Sequence, residues 1–307
     1  WLFEPQSTNL MTRSNELNLW GSKVGVAITP NYSLSPDGSI NSNRLLFSSN
    51  GYCHNNNLQI SGTVYTVSAY AKRNSGTENV GFFTNGSGAV NYAFNLTNEW
   101  QRFEYTYTST NTSTFGFAGI SGADISVYGF QAEEQSYATS YIPTEGTTVT
   151  RNQDLCTGGG SAALINSTEG VLYAEISALA DDLTNRAISL SDGSTNNGVQ
   201  MFYYNVSNRL RFRVYAGGTL QGTINKSGIT ITDNHKIALK WKSGFMSVFV
   251  DGVIVGTELA ISSTPAGLDR LNFNLGQGSS DFFGKTKCLA VWKTALSDTE
   301  LAELTTI

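Results

Sequence analysis

Charged side chains are scarce in this sequence of 307 residues. Asp, Glu, Lys and Arg make up 14% of it, against about a quarter in typical soluble proteins. The formal net charge is −5. Positions 1–155 contain 7 basic and 11 acidic residues, and positions 156–307 contain 12 basic and 13 acidic residues. Because neither half is basic, general electrostatic binding to nucleic acid is not expected.

Cysteine and histidine are also rare. The three cysteines, Cys53, Cys156 and Cys288, are widely spaced and form no CxxC pair, so the sequence indicates neither a disulfide framework nor a zinc site. Only two histidines occur, His54 and His235, which leaves little basis for Ser-His-Asp or Cys-His catalysis. Cys53 and His54 are adjacent, but adjacent strand residues point to opposite faces, so we expect no thiol–imidazole pair.

Two further patterns are missing. No apolar run approaches the ~18 residues that a membrane-spanning helix needs, so membrane insertion is not expected. A glycosidase on a sandwich fold would need two carboxylates a few Å apart, typically alternating on one strand as E-x-D-x-x-E, and that pattern is absent. We therefore predict that the chain is not an enzyme. It opens on Trp1 rather than on Met, which is typical of a fragment.

Neutral polar residues and aromatic residues are abundant where charged residues are scarce. The sequence contains 28 Asn, 34 Ser and 31 Gly, together with 14 Tyr and 16 Phe. Asn, Ser and Gly favour turns, while Tyr, Phe and Thr favour strands. This composition predicts an all-β protein, and its length allows two domains, each with its own core.

Period-two alternation of apolar residues predicts the strands. In the first half, a polar and turn-rich stretch extends to Ser49 and strands follow it. In the second half, a Gly-rich linker (156–164) precedes a more regular alternation of apolar and polar residues. At the end of the chain, Ser297 and Glu300 form a capping box that predicts a short C-terminal helix. The predicted strands lie at 65–71, 90–96, 103–107, 125–127, 171–176, 199–204, 210–214, 237–241, 245–250, 253–255, 271–275 and 288–292.

The first half resembles a β-sandwich module common in bacteriophage tail and other virion proteins. The resemblance lies in YGFQAEEQSYATSYIPTEGTTVTRN (Tyr128–Asn152), in LFEPQSTNL (Leu2–Leu10), and in Ser35–Gly38, Tyr65–Lys72 and Trp100–Thr106. It implies a carbohydrate-binding jelly roll over residues 1–155.

Some modules of this kind bind a structural Ca²⁺ near their joined termini. The carboxylates near the ends of this domain are Glu4, Glu133 and Glu134, but we assign no calcium ligand to them. They fit solvated or connector-anchoring roles better.

The second half resembles the concanavalin A-like, laminin G-like lectin sandwich. HKIALKWKSGFMSVFVDGVIVGT (His235–Thr257) and FFGKTKCLAVWKTALSDTELAEL (Phe282–Leu304) carry the resemblance. It implies a lectin-type domain over residues 165–307, in which His235 opens a strand and has a structural role. The predicted fold is thus all-β, with two jelly-roll β-sandwich domains in tandem and a short C-terminal helix.

One set of basic residues is a candidate binding surface. Arg211 and Arg213 alternate with apolar residues on one strand, and Lys240 and Lys242 do so on another. If those strands share a sheet, the four cations and Tyr215 lie on one face that could hold carboxylates or sulfates of an acidic polysaccharide. The alternative is that these charges serve solubility and protect the sheet.

Aromatic residues in the first half are a second set of candidates. Tyr52, Tyr92, Trp20 and Trp100 could stack on sugar rings, although aromatics at strand positions are more often part of the core. We include Tyr52 and Tyr92 among the candidate carbohydrate-binding residues and expect both tryptophans in the core.

These observations predict a non-catalytic phage virion protein, such as a tail-fibre or adhesin-like component, that binds cell-surface polysaccharide. We expect the protein to lie on the surface of the particle and to act outside the cell. Other virion proteins are its expected partners, and a homotrimer is expected by analogy with phage fibres. Two alternatives remain open. One is a structural decoration of capsid or tail without a glycan ligand, and the other is a binding module of a larger polysaccharide-degrading enzyme.

Overall fold

The computed structural model describes residues 1–76, 79–86 and 88–307, and for residues 56–58 it describes the backbone alone. The chain is almost entirely β, with one short helix at its C-terminal end. This confirms the predicted fold class. No helix of the described chain is long and apolar enough to span a membrane.

The chain divides into two compact units. We call Gln6–Asn152 the first unit, and Trp1–Pro5 together with Gln153–Ile307 the second unit. A domain spanning 1–155 therefore differs from the first unit chiefly in its first five residues. Leu2 and Phe3 pair with Lys285 and Gly284, which ties the start of the chain to the second unit.

The Gly-rich stretch that the sequence predicts as a linker is hydrogen-bonded within the second unit. The Gly159 amide donates to the Leu271 carbonyl, and the Gly159 carbonyl accepts from the Leu271 amide. The Phe273 amide donates to the carbonyl of Cys156. These bonds satisfy backbone N–H and C=O groups of the stretch, and Cys156 also packs against the core of the second unit.

The first unit and the N-terminal strand of the second unit contain eleven strands along the described chain. These are β1 (Leu2–Phe3), β2 (Ser7–Asn9), β3 (Ser22–Thr29), β4 (Asn43–Leu58), β5 (Val64–Ser75), β6 (Val80–Phe83), β7 (Tyr92–Ala93), β8 (Gln101–Thr108), β9 (Thr114–Gly119), β10 (Asp124–Glu133) and β11 (Val149–Arg151).

The first unit is one curled sheet with the strand order β7-β6-β9-β4-β10-β5-β8, to which β3 adds through β4. Strand β4 connects its two sides, because Asn43–Leu46 pair with β10 while Gly51–His54 pair with β9. The curl encloses an aromatic core that includes Trp20, Phe82 and Phe117. A separate pair, β2 and β11, brings the ends of the unit together.

The remaining elements all belong to the second unit. They are β12 (Gly170–Ala178), β13 (Arg186–Ser191), β14 (Gly198–Tyr203), β15 (Arg209–Ala216), β16 (Thr219–Ser227), β17 (His235–Lys242), β18 (Phe245–Val250), β19 (Val253–Ile254), β20 (Leu259–Ala260), β21 (Arg270–Asn272), β22 (Gly284–Trp292) and α1 (Asp298–Thr305).

The second unit is a sandwich of two antiparallel sheets. One has the order β1-β22-β12-β17-β18-β19, with β20 beside β18, and the other has the order β16-β15-β14-β13-β21. Their inner faces share one core, in which Leu172, Phe212 and Trp241 are fully buried. Alternation along each strand therefore sends every second side chain outward from the sandwich.

Helix α1 covers part of the outer face of the first of these sheets. Its Ser297 hydroxyl accepts from the Glu300 amide, and Glu300 Oε2 accepts from the Ser297 amide, so the predicted capping box is present. Leu301 is fully buried against Val171, Tyr173 and Phe249.

Three strand predictions need correction. The turn-rich stretch up to Ser49 contains β3 and the start of β4, whose polar residues obscure the alternation. The strand predicted over 90–96 is reduced to Tyr92–Ala93, although Phe94 and Leu96 are buried. The strand predicted over 271–275 ends at Asn272, because the chain then folds back and Phe282 bonds to Phe273.

Candidate functional site

The predicted basic surface is divided between two sheets. Arg211, Arg213 and Tyr215 lie on β15, in the five-stranded sheet, whereas Lys240 and Lys242 lie on β17, in the opposite sheet. The condition that all four cations share one sheet is therefore not met. Strand β15 pairs with its chain neighbours β14 and β16, while β17 pairs with β12 and β18.

The two lysines of the opposite sheet have partners within the protein. Lys240 is 4% exposed, and its ammonium group forms ion pairs with Asp298, at the start of α1, and with Glu258. Lys242 lies over the ring of Phe245, 4.9 Å from its centroid. Lys240 thus holds α1 to the sheet and is not available to a ligand.

The outward face of β15 carries a row of three arginines, Arg209, Arg211 and Arg213, which we call the arginine stripe. The row forms because Leu210, Phe212 and Val214 alternate with the arginines and are buried in the core. At the rise per residue of a strand, the first and third Cα atoms of the stripe are about 13 Å apart. All three side chains are half-buried.

Aromatic rings support two of these arginines. The guanidinium of Arg211 lies 3.3 Å from the centroid of the Tyr204 ring, and its Nε donates to Asn225 Oδ1 at 2.8 Å. The guanidinium of Arg213 lies 5.3 Å from the Phe202 centroid. Stacking on a ring fixes the plane of a guanidinium and leaves its edges free to donate hydrogen bonds.

The arginine stripe has no acidic partner among the residues that the structure describes. Arg209 Nε donates to the Ser227 hydroxyl at 3.0 Å, and Arg213 Nε is buried with no hydrogen-bond partner. Elsewhere, cations lie beside carboxylates, as in the pairs Arg44–Asp124 and Arg186–Asp182. A half-buried cation without a counter-charge costs free energy unless a ligand supplies one.

Tyr215 follows the stripe along the same outward face of β15 and is half-buried. The stripe can therefore offer planar, bidentate donors to anionic groups, with aromatic rings at Tyr204 and Tyr215 beside them. Carboxylates, sulfates and phosphates are the groups that such donors recognise best.

Tyr52 lies in the first unit, on the face of β4 opposite the core. Its ring stacks on those of Phe83, at 5.3 Å, and His54, at 5.6 Å. Cys53 lies between the two and is fully buried on the core side. Burial raises the pKa of the Cys53 thiol to about 12, so this thiol is not a nucleophile at neutral pH.

Tyr92 is half-buried at one edge of the same unit, where its ring stacks on Tyr105 at 5.1 Å. The tryptophans differ from each other. Trp20 is in the core as expected, but Trp100 is half-buried outside it, with Nε1 donating to the Leu34 carbonyl and Lys72 over its ring. The expectation of a core position for Trp100 is wrong, because its polar N–H and the lysine keep it at the surface.

His235 has two partners that account for it structurally. Its Nδ1 lies 2.6 Å from Asp251 Oδ2 and its Nε2 lies 2.9 Å from the Thr230 carbonyl. Asp251 Oδ1 also accepts from the Lys236 amide. The imidazole therefore ties the start of β17 to the turn after β18.

One of the carboxylates near the ends of the first unit, Glu133, is used within the protein. Glu133 is fully buried, and its oxygens accept from the Ser7 and Thr139 hydroxyls, the Thr139 amide and Gln135. It anchors the connector after β10. Across the described residues, no group of three or more His, Cys, Asp or Glu could hold a metal ion.

Sequence reasoning missed Arg209, Tyr204 and Asn225 as members of the candidate site. Arg209 was recognisable, because it continues the alternation of Arg211 and Arg213 by one step. Tyr204 and Asn225 come from β14's end and from β16, and only the strand pairing places them beside Arg211.

No curated protein sequence matches this chain. Among solved structures, the Ruminococcus gnavus IT-sialidase CBM40 bound to alpha2,3 sialyllactose is 16% identical, with a TM-score of 0.41 over 49% of this chain and 94% of that one. Domains LG4-5 of the mouse laminin alpha1 chain are 10% identical, with a TM-score of 0.34 over 91% and 93%. CG-16, a homodimeric agglutinin from chicken liver, is 11% identical, with a TM-score of 0.30 over 45% and 99%.

Likenesses this weak do not bear on the function of the chain. The sequence itself gives the stronger result, because residues 167–302 match the family model of the concanavalin A-like lectin/glucanases superfamily. The two-sheet sandwich of the second unit agrees with that match. Residues 167–302 of the second unit are thus similar to concanavalin A-like, laminin G-like domains.

Proposed function

We propose that the protein is a non-catalytic phage virion component that binds cell-surface carbohydrate, and that the arginine stripe holds acidic groups of that glycan. The observation that carries the proposal is the row of half-buried arginines without a described acidic partner, on the outer face of a lectin-like sheet. The virion origin rests on the sequence resemblance of residues 1–155.

Binding would relieve the cost of leaving these cations unpaired. Each hydrogen bond between a charged donor and a charged acceptor contributes about 1.5–3 kcal/mol, and a bidentate arginine adds geometric specificity. Asn225, fixed by Arg211, and Thr223, opposite Arg213, flank the stripe with neutral polar groups that suit sugar hydroxyls. A carboxylated or sulfated polysaccharide meets all of these groups at once.

Its location would be the surface of a phage tail or particle, where the protein acts outside the host cell. Other virion proteins would be its partners in assembly, and a homotrimer is the arrangement that the phage-fibre analogy suggests. Immunogold labelling of purified particles tests the location, and sedimentation of the purified chain tests the oligomeric state.

A polysaccharide array with the purified chain tests the binding role. The array carries polyuronates and sulfated polysaccharides beside their carboxyl-reduced and desulfated forms, together with host envelope fractions. We expect the acidic forms to bind and the neutralised forms to lose binding by about tenfold or more. Absence of binding to every acidic polymer and every envelope fraction would favour a structural decoration role instead.

The same array separates binding from catalysis. Acidic polymers recovered after incubation are expected to keep their length, as judged by size-exclusion chromatography. Shortened chains would contradict the non-catalytic part of the proposal, while leaving the binding part intact.

A further inference from the structure

One edge of the second unit is only partly covered. Strand β22 pairs with β12 along its length, but on its other side it has only β1, which reaches Gly284 and Lys285. Trp1 and Thr286 then exchange two backbone hydrogen bonds, of 2.7 and 2.8 Å. Beyond Thr286, no strand of the described chain pairs with this side of β22. The edge over 287–292 is therefore open, and it is about 17 Å long at the rise per residue of a strand.

An apolar groove of about 320 Å³ lies beside this open edge. It is between the two sheets of the sandwich, because Leu271 on its far wall belongs to β21, the last strand of the opposite sheet. Every side chain that lines it is apolar. The lining includes Gly160, Leu164, Ile165, Leu271, Leu289 and Val291.

Apolar surface is left uncovered along this groove. Leu164, on its rim, is 62% exposed. Leu289 and Val291 of β22 pack against the core of the second unit, yet they are only half-buried. Gly160 contributes no side chain that could fill the opening. Exposed apolar side chains in a concave surface favour an apolar occupant.

Lysines flank the open edge. Lys285 and Lys287 lie at its start, Lys293 follows its end, and all three are exposed. The ammonium group of Lys287 is 3.5 Å from Glu175, which is on the outer face of the sheet because its neighbours on β12 are in the core. Lys293 donates only to a backbone carbonyl. The edge is therefore basic, with at least one lysine on the face that points away from the groove.

A second copy of the chain is a poor occupant of this edge. Two β22 edges related by a twofold axis would run antiparallel, and a pair centred on Ala290 would place Lys287 of one copy opposite Lys293 of the other. Like charges directly opposite each other are destabilising, and lysines on edge strands commonly prevent such self-pairing. The same lysines attract a strand that carries carboxylates.

We propose that the open edge of β22 is a docking site for an extended segment of another protein, in which apolar residues alternate with acidic ones. The segment adds to the sheet in the line of β1, which already occupies the start of the same edge, and forms backbone hydrogen bonds along 287–292. Because side chains alternate between the faces of a strand, its apolar residues enter the groove beside Leu289 and Val291. Its acidic residues lie on the outer face, where Lys287 can pair with them.

This site goes beyond the proposed glycan binding and does not depend on it. The arginine stripe lies in the opposite sheet and offers charged donors, whereas the open edge offers backbone groups and an apolar groove. Peptide binding is expected to persist in the Arg211→Gln/Arg213→Gln double variant, which also removes the stripe as a competing site for acidic peptides. Failure of either proposal leaves the other standing.

The test uses an array of synthetic peptides of about seven residues in which valine, isoleucine or phenylalanine alternates with glutamate. Each peptide has three matched forms: the same residues in a non-alternating order, lysine in place of glutamate, and N-methyl groups on the backbone amides. We expect the alternating acidic peptides to bind, and each matched form to lose about tenfold or more in affinity. With the best binder, hydrogen exchange should slow at the backbone amides of 287–292 and not in the opposite sheet.

Variants of the groove and the edge complete the test. Leu164→Glu is expected to weaken peptide binding by about tenfold, because it removes an apolar wall and repels the carboxylates. The matched control is Leu183→Glu, at a position of the second unit that is 54% exposed and outside the groove, and it should bind like the wild type. Lys287→Gln should weaken binding severalfold. Thermal unfolding should be unchanged in all three, because these side chains are largely exposed.

Three results would overturn the proposal: no alternating acidic peptide binds, the N-methylated form binds equally well, or Leu164→Glu binds as tightly as Leu183→Glu. Sedimentation of the purified chain covers the remaining occupant. A dimer that Leu164→Glu dissociates would assign the edge to a second copy, and the proposal would be wrong.

Discussion

The Asp124 network of the first unit and the arginine stripe of the second unit treat charge in opposite ways. In the first unit, Asp124 is 4% exposed and is surrounded by donors: two nitrogens of Arg44 at 2.9 and 2.6 Å, Asn74 at 3.0 Å and Ser75 at 3.2 Å. In the second unit, the arginine stripe has no acidic partner in the described structure. The Asp124 network uses its charges to hold strands together, whereas the proposed role of the arginine stripe is to bind an anionic ligand.

This difference separates stability from binding. A fully paired network contributes to folding but has nothing left to offer a ligand. Unpaired cations contribute little to folding, yet they can gain much from an anion. Changes in the Asp124 network should therefore alter stability alone, and changes in the arginine stripe should alter binding alone.

The largest expected effect is on the stability of the first unit. Asp124→Asn leaves Arg44 without its counter-charge. Because Arg44 is only half-buried, we expect a cost of about 1–3 kcal/mol, the range for a buried polar group that loses its partner. Thermal unfolding should show the first unit melting earlier while the second unit is unchanged. Binding to acidic polysaccharide at low temperature should not change. A variant as stable as the wild type would show that this network does not hold the unit together.

Acid should remove the contribution that the Asp124–Arg44 pair makes to the stability of the first unit. Hydrogen bonds from Arg44 are the main cause of the lowered pKa of Asp124 in the folded protein. A carboxyl whose pKa falls on folding stabilises the native state above its unfolded pKa of about 4, and that contribution is lost as the pH falls through the lower folded value. Unfolding curves recorded below about pH 4 should show the first unit losing stability more steeply in the wild type than in Asp124→Asn. Parallel curves would contradict this assignment.

Salt should act on the arginine stripe instead. Raising the ionic strength from about 0.1 M to about 1 M shortens the Debye length from about 10 Å to about 3 Å. The affinity for an acidic polysaccharide should then fall by about tenfold, because the stripe is only half-buried and is partly screened. Titrations with the carboxyl-reduced polymer provide the control. An affinity that does not depend on salt would mean that charge is not what the stripe recognises.

The smallest effect concerns the helix of the second unit. Ser297→Ala removes the N-cap of α1 and should lower the stability of that unit by about 1 kcal/mol. Lys240, which bonds to Asp298 at the same helix end, still holds the helix to its sheet. Ser262→Ala, outside the helix, is a suitable control. A loss well above this value would mean that α1 supports more of the sandwich than its one fully buried leucine indicates.

Strands with strict alternation were predictable from the sequence, because one face of such a strand is buried in the core and the other face is not. Along β15 the burial pattern alternates without a break, and Leu210, Phe212 and Val214 identify the buried face from sequence alone. Strands β3 and β4 were missed for the opposite reason. β3 has no fully buried residue, although Val26 and Ile28 pack against the core. β4 changes partners part-way along, so neither strand shows a simple period of two.

The candidate site was only partly predictable, because the sheet that a strand joins is not a local property. The arginines of β15 and the lysines of β17 have the same local pattern, yet β15 pairs with adjacent hairpin strands and β17 pairs with β12, much earlier in the chain.

The most direct test of the account is titration of one acidic polysaccharide into three proteins. These are the wild type, the Arg211→Gln/Arg213→Gln variant, and Lys242→Gln, which removes a positive charge from the opposite sheet of the same unit. We expect the double variant to bind about a hundredfold more weakly, with unchanged thermal stability, and Lys242→Gln to bind like the wild type. Equal affinity for all three proteins would contradict the claim that the arginine stripe is the binding site.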